Sequence, residues 1–257
     1  MTVNLILLAV GVLLGVSTVW FGFGGGFVAV PVIAWAHGGD GAEVLGVATS
    51  TSLLIMLVNA LVATLSSRRE LLARIRPALV VCLAVGGALG ALANPLVNGT
   101  VLKWAFVAYI ALTVLDILFR PGFVHPSSPT DRKAPPSIGI PIGAVASFLG
   151  VGGSVLTVPA MRRSGVSMAD ATALANPLTF AIALPATLVA LLSTPAADDS
   201  GRLLVGSVDV VAALCLLVSA IPVVIVLRLR RVPVPDTVHA WAYLVLLVIS
   251  GAAVALR

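Results

Sequence analysis

The chain has 257 residues, of which 60% are hydrophobic and 10% charged, with a mean hydropathy of +1.15 and a formal net charge of +5. A water-soluble domain carries about 25% charged residues, and a soluble fold of this length could not hide so much apolar surface. The composition excludes such a fold, and the basic residues, set in short clusters between apolar runs, fit membrane loops rather than nucleic-acid binding.

In chain order, residues 3–36 form an apolar stretch too long for one simple helix and interrupted by glycines. Its start, MTVNLILLAV, lacks the positive n-region and cleavage site of a secretory leader and reads as part of the membrane domain. Spans are predicted at roughly 44–66, 78–97 and 101–119, near the ~20 residues a crossing helix needs. The longest polar connection, RPGFVHPSSPTDRKAPP at 120–136, divides the chain near its middle. Residues 137–161 have the length of a span but hold a second glycine cluster. Further spans are predicted at roughly 170–192, 204–227 and 238–256. The expected fold is an all-α polytopic membrane protein with two homologous halves, 1–119 and 137–257, joined by the linker.

The halves are linked by a repeat. GFGGGFVAVP (Gly22 to Pro31) aligns without a gap with GVGGSVLTVP (Gly150 to Pro159), at an offset of 150 − 22 = 128. After a one-residue slip, AEVLGVATST (Ala42 to Thr51) faces ADATALANPL (Ala169 to Leu178). Cys82 and Cys215 also fall near corresponding places, and both read as packing residues inside apolar runs. Two motifs in the same order carry more weight than one glycine-rich string.

Loop charge orients the spans. Arg68, Arg69, Arg74 and Arg76 are expected on the cytoplasmic side, as are Arg120, Arg132 and Lys133. Arg162 and Arg163, and Arg228, Arg230 and Arg231, favour the same side, with Asp198 and Asp199 beside Arg202 outside. A single crossing by 137–161 would violate the last two clusters. A re-entrant hairpin with its turn at the glycines satisfies both, and 3–36 would do the same from the other side. Each half then has one broken segment and three spans, and the halves are inverted, an arrangement found in secondary transporters. The alternative is that both segments cross fully.

Glycine permits positive φ and close backbone approach, while Pro31 and Pro159 restrict a helix running through them. Gly22, Pro31, Gly150 and Pro159 therefore read as structural breaks. Broken backbone at membrane depth must face protein or a watered cavity. Half-helices starting after Gly24, Gly25 and Gly26, and after Gly152, Gly153 and Ser154, would aim free amides inward, where helix N-termini attract anions. The competing reading is close packing by small residues. A second polar patch holds Thr49, Ser50, Thr51 and Ser52, matched by Asn176 and Pro177. Thr and Ser can satisfy themselves on the preceding turn, whereas the Asn176 amide is costly to bury unpaired and Pro177 frees a carbonyl. Asp116 and Asp209 lie near span ends and read as interfacial, a buried one being a proton-coupling candidate; Glu43 sits at a span boundary. His37, His125 and His239 are scattered, so no metal site is expected. No phosphate-binding loop supports ATP-driven pumping, and no cofactor is expected.

GFGGGFVAVP followed by GVATSTSLL, with the partial second copy, resembles the TauE/SafE sulfite exporter family. The resemblance extends over essentially the whole chain. It implies transport of small sulfur-containing or organic anions, such as sulfite, sulfonates or sulfoacetate, across a bacterial inner membrane. The family-like motif falls on Gly22, Gly24, Gly25, Gly26 and Pro31, its second copy on Gly150, Gly152, Gly153 and Pro159, and the Thr-Ser element on Thr49 and Ser50. Ser154 in place of a third glycine, and Asn176-Pro177 in place of a second Thr-Ser, depart from the pattern. The leading reading is a secondary carrier, not an enzyme, working by alternating access with proton or sodium as a possible coupling ion. An anion channel lined by the same glycines is the alternative. The oligomeric state is left open.

Overall fold

The computed structural model describes residues 2–37, 42–124, 135–193, 203–230 and 234–256, with side chains from Ile6 in the first helix and from Val44 in the third. Arg132, Lys133, His125, Asp198, Asp199, Arg202 and Arg231 lie outside the described residues, as does most of the 120–136 linker.

The elements follow the hydropathy. α1 (Thr2–Phe21) and α2 (Gly26–His37) form the first broken segment. The long helices α3 (Ala42–Leu65), α5 (Pro77–Ala93) and α6 (Gly99–Phe119) follow, with the short α4 (Arg69–Leu72) in the basic connection. α7 (Gly139–Phe148) and α8 (Ser154–Arg163) form the second broken segment. α9 (Met168–Leu192), α10 (Val210–Arg230) and α11 (Asp236–Ala255) complete the bundle. Six of these helices are long and apolar enough to cross a membrane. Local signals set their starts. The Asn98 side chain accepts from Val101 N and the Ser167 hydroxyl accepts from Asp170 N, while Pro77 occupies a first-turn position where its missing N–H costs nothing.

One boundary differs from expectation. Residues 204–209 do not open a span. β1 (Leu204–Val205) pairs antiparallel with β2 (Val208–Asp209) around Gly206 at φ +58°, and the helix starts at Val210. Valine-rich strand and helix ends look alike in hydropathy, and the glycine turn decides between them. A second correction concerns Pro31, Pro159 and Pro177. They lie inside α2, α8 and α9, which run through them. A proline removes one hydrogen bond and bends a membrane helix without ending it, where neighbouring groups resatisfy the backbone.

Contacts fix the ends of the bundle. Asp209 lies 3.1 Å from His37 at the close of α2, and its amide donates to Thr51 Oγ1, more than two turns into α3. Asn94, in the turn after α5, donates to Thr49 Oγ1 at the same end. At the other end, Arg163 meets Asp116 at the close of α6 (2.7 Å). Arg162 meets Asp236 (2.7 Å), whose other oxygen accepts from Met168 N. The described Lys and Arg residues, Lys103 apart, gather at this Arg162 end.

Both limbs of each broken segment open at a single end. Gly139 of α7 packs by Leu79 and Cys82 at the start of α5, and α8 closes at Arg163 beside the end of α6, so both ends of this segment lie at the Arg162 end. α1 runs parallel to α10, Gly11 facing Leu216 and Gly15 facing Ala220 and Val223, and α2 closes beside Asp209, which puts both ends of the first segment at the Asp209 end. The packing is reciprocal. Gly15 lies against Ala220 of α10, and Gly143, 128 positions on, lies against Leu83 and Gly87 of α5. Small residues let these backbones approach closely.

α3 and α9 form the centre, 61% buried over their apolar windows against 28% for α6. Trp35 and Trp104 are exposed at the Asp209 end and Trp241 at the Arg162 end, the placement of membrane-interface aromatics. Arg162, expected as a loop charge, is fully buried. Its guanidinium donates to the carbonyls of Phe123, Val124 and Val166 as well as to Asp236. Those partners satisfy a charge that could not otherwise be buried.

Gly15→Ala or Gly143→Ala should lower stability by about 1–3 kcal/mol through overpacking. The added carbon would lie 2.7 Å from the Ala220 carbonyl oxygen or 2.3 Å from that of Leu83. Gly46→Ala, with its nearest neighbour at 3.9 Å, should be neutral. Thermal unfolding in detergent checks all three.

Candidate functional site

The two breaks meet. Gly22, Gly24 and Gly25 have φ of +71°, +63° and +92°, and Gly150 has +66°, a region closed to most side chains. The helices restart at Gly26 and Ser154, within a residue of expectation. A Cβ on Gly26 would stand 2.7 Å from the Gly150 oxygen, and one on Gly152 would stand 2.7 Å from the Phe23 oxygen. The two backbone segments are thus closer than a methyl group allows. α3 and α9 line this junction, Met56 and Thr179 both packing on Gly24. The two breaks also share matching apolar neighbours. Gly25 faces Leu14 and Ile55, and Gly153 faces Ile142 and Ile182. These are corresponding positions, at offsets of 142 − 14 = 128 and 182 − 55 = 127.

Breaking a helix here strands carbonyls, and side chains serve them. Asn59 Nδ2 donates to the Gly24 oxygen (3.3 Å) and Asn94 Nδ2 to the Phe148 oxygen (2.8 Å). Ser52 Oγ lies 2.7 Å from both the Thr49 and the Gly150 oxygens, so its one proton is shared. Tyr243 Oη adds a bond to the Ser154 carbonyl in the first turn of α8 (3.1 Å). Its ring packs among Phe21, Phe23 and Phe123 and closes one flank with aromatic surface.

Of the side chains expected at the site, Thr49 donates to the Gly46 carbonyl and accepts from Asn94. Thr49 thus helps hold the second break. Ser50 is buried and takes no part in these contacts. Asn176 is fully buried, with Nδ2 bonded to the Thr172 carbonyl one turn back and Oδ1 unpartnered. The Ser154 hydroxyl is fully buried and unpartnered too.

The sequence reading missed three contributors, Asn59, Asn94 and Thr179, and placed Ser52 in the polar patch without singling it out. Asn59 carried a usable signal, an isolated amide within the apolar run LLIMLVNALVATL. Thr179 gave none, since threonine is ordinary in a membrane helix. In the fold its buried Oγ1 has no partner and would lie 3.2 Å from a Cβ on Gly152. Ser154 Oγ, Thr179 Oγ1, Asn176 Oδ1 and Asn59 Oδ1 are therefore buried polar atoms without partners, on the elements that form the breaks and the helices lining them. Such atoms cost free energy unless something binds them. α8 also has no side-chain cap; its Val155 and Leu156 amides turn back to the Gly152 and Gly153 carbonyls (3.5 and 3.2 Å). Among the described residues no group of three or more His, Cys, Asp or Glu could hold a metal.

A multi-pass helical membrane protein with paired broken segments meeting inside the bundle has the build of a transport protein. The family model described as Sulfite exporter TauE/SafE matches residues 7–254, nearly the whole chain, and the chain belongs to that family. No curated protein and no solved structure matches it.

The junction makes an asymmetric prediction. Gly152→Ala drives a carbon against the Phe23 backbone and should cost about 1–3 kcal/mol. Gly153→Ala meets only the movable Cδ1 of Ile182, at 2.5 Å, and should stay near wild type. Melting curves of the two purified variants compare them directly.

Proposed function

We propose that the protein is a secondary carrier of small sulfur-containing or organic anions, with sulfite, a sulfonate or a sulfoacetate-like anion as substrate, in a bacterial inner membrane. Residues 1–119 and 137–257 act as two repeats in inverted orientation, with 120–136 as a cytoplasmic linker. The Arg162 end is cytoplasmic, because the basic clusters gather there. The observation that carries this reading is the meeting of two similarly built glycine breaks beside buried, unpartnered Ser154 and Thr179 hydroxyls.

The substrate sits between the breaks, bound by amides near Gly24, Gly25, Gly26, Gly152 and Gly153 and by Ser154 and Thr179. Asn176 and Asn59 add amide groups, and their free oxygens suit a partly protonated oxyanion that can donate as well as accept. Thr49 and Ser50 sit on the α3 side of the site. In the closed junction Gly26 and Gly150 touch, so access needs the hairpins to separate. A hairpin opening at the Asp209 end and another opening at the Arg162 end provide two gates, and opening them in turn is alternating access. Direct contact between the breaks favours this over a continuous pore.

Purified protein in vesicles should show saturable uptake of radiolabelled sulfite, stimulated by unlabelled sulfite inside. Ser154→Ala and Thr179→Val should each raise KM roughly fivefold, since a lost hydrogen bond costs about 1 kcal/mol. Unchanged KM in both folded variants rules out this site, and flux that never saturates rules out a carrier.

A further inference from the structure

Arg228 carries a positive charge that nothing described so far balances. It lies in the last turn of α10, half-buried, one turn after the fully buried Val224. Its Nε and Nη2 are enclosed by the protein and have no hydrogen-bond partner. These two atoms form one edge of the planar guanidinium, with N–H groups aligned to grip two oxygens of a single anion. Arginine keeps its proton in a protein, and a buried charge without a countercharge is costly. An edge with both donors vacant has the shape that an oxyanion fills.

The neighbouring cations supply the contrast. In Arg162 the same edge is taken, Nε by the Phe123 carbonyl and Nη2 by that of Val124. Arg163 has a free Nε but gives Nη2 to Asp116, and Asp236 is held by Arg162. α10 packs mainly on α1 and α3. α1 has no charged residue, and the one acid of α3, Glu43, is its second residue, at the other end of the bundle. Among the described residues no carboxylate pairs with Arg228. The parallel run of α1 and α10 sets its level. Gly11 faces Leu216 and Ser219, at offsets of 216 − 11 = 205 and 219 − 11 = 208, and Gly15 faces Ala220 and Val223 at the same two offsets. That spacing puts Arg228 level with residues 228 − 208 = 20 to 228 − 205 = 23, the end of α1 and the opening of the first break.

We propose that the Nε–Nη2 edge of Arg228 is a second oxyanion site, at the Arg162 end of the first break, which holds the transported anion on its way to or from the junction; this rests on the transport reading above. The junction offers amides and hydroxyls, which are neutral donors, and Arg228 adds a full charge beside them. In the closed junction the edge is covered. Separation of the breaks shifts the turn at Gly22 to Gly25 and opens the edge to the anion. A lipid headgroup phosphate presents the same pair of oxygens, so the test separates the two sources.

The test uses the full chain as wild type, Arg228→Gln and Arg228→Lys. Binding of radiolabelled sulfite is measured in phospholipid-free detergent at fixed ionic strength, and melting is followed with and without added phosphatidylglycerol. Sulfite exchange is measured in vesicles from each face. Arg228→Gln should raise half-saturating sulfite about tenfold, the scale of a lost charged hydrogen bond, in detergent and at the Arg162 face. Arg228→Lys, with the charge but not the fork, should fall between it and wild type, and carries the test if the glutamine variant does not fold. A loss of equal size at both faces marks a merely structural role and overturns the site. If the variants bind sulfite like wild type while phosphatidylglycerol raises the melting temperature of wild type alone, the occupant is a lipid phosphate and the assignment to the transported anion falls. Folded variants that match wild type throughout overturn the site and spare the carrier. Absence of saturable exchange in wild type removes the carrier reading, and Arg228-dependent sulfite binding in detergent then still supports the oxyanion site.

Discussion

The constraint on which this fold depends is that broken backbone inside an apolar bundle must find hydrogen-bond partners. Two helices are interrupted at glycine, and each interruption strands carbonyl groups. Asn59, Ser52 and Asn94 reach in to meet them. All three come from α3 and the turn after α5, and two of them, Ser52 and Asn94, serve the second break. The glycines permit the turns, but the side chains on neighbouring helices make those turns tolerable in the interior.

This division separates supporting groups from those proposed to bind substrate. Residues that serve carbonyls are occupied, whereas Ser154 and Thr179 are buried without a partner. Such groups cost free energy in a packed interior, and they occur away from the breaks as well, at Thr64 and Thr187. The same contrast distinguishes Thr49 from its neighbours. Its hydroxyl is taken up by Gly46 and Asn94, so its part near the site is to brace the second break. Arg162 is another brace. It ties the chain after α6, the end of α8 and the start of α11 at one point, and so fixes the base of the second hairpin.

Much of the fold was legible because long apolar windows and glycine clusters are local signals. The spans, the duplicated breaks and the restart points near Gly26 and Ser154 could all be read from short stretches. What could not be read depends on partners distant in the chain. Nothing near Arg162 tells a buried brace from a loop charge, and nothing near His37 announces Asp209. Pro31, Pro159 and Pro177 misled for a related reason. A proline states what the backbone lacks, and only the surrounding bundle decides whether the helix continues. The α10 start failed because Leu204 to Asp209 is as apolar as a helix end, and Gly206 was the sole contrary sign.

The pairing of α1 with α10 also has a consequence for synthesis. The two run side by side, joined by the close approach of Gly11 and Gly15 to Leu216 and Ala220. The ribosome must reach Arg230 before α1 has its full partner. Until then α1 waits in the lipid, with a glycine-lined face uncovered and its turn at Gly22 to Gly25 unfinished. α7 has no such wait, because α5 is already in place when it emerges. The α7 limb can therefore dock on α5 as it emerges, while α1 gains α10 only late, and α11, which brings Asp236 to Arg162, comes last.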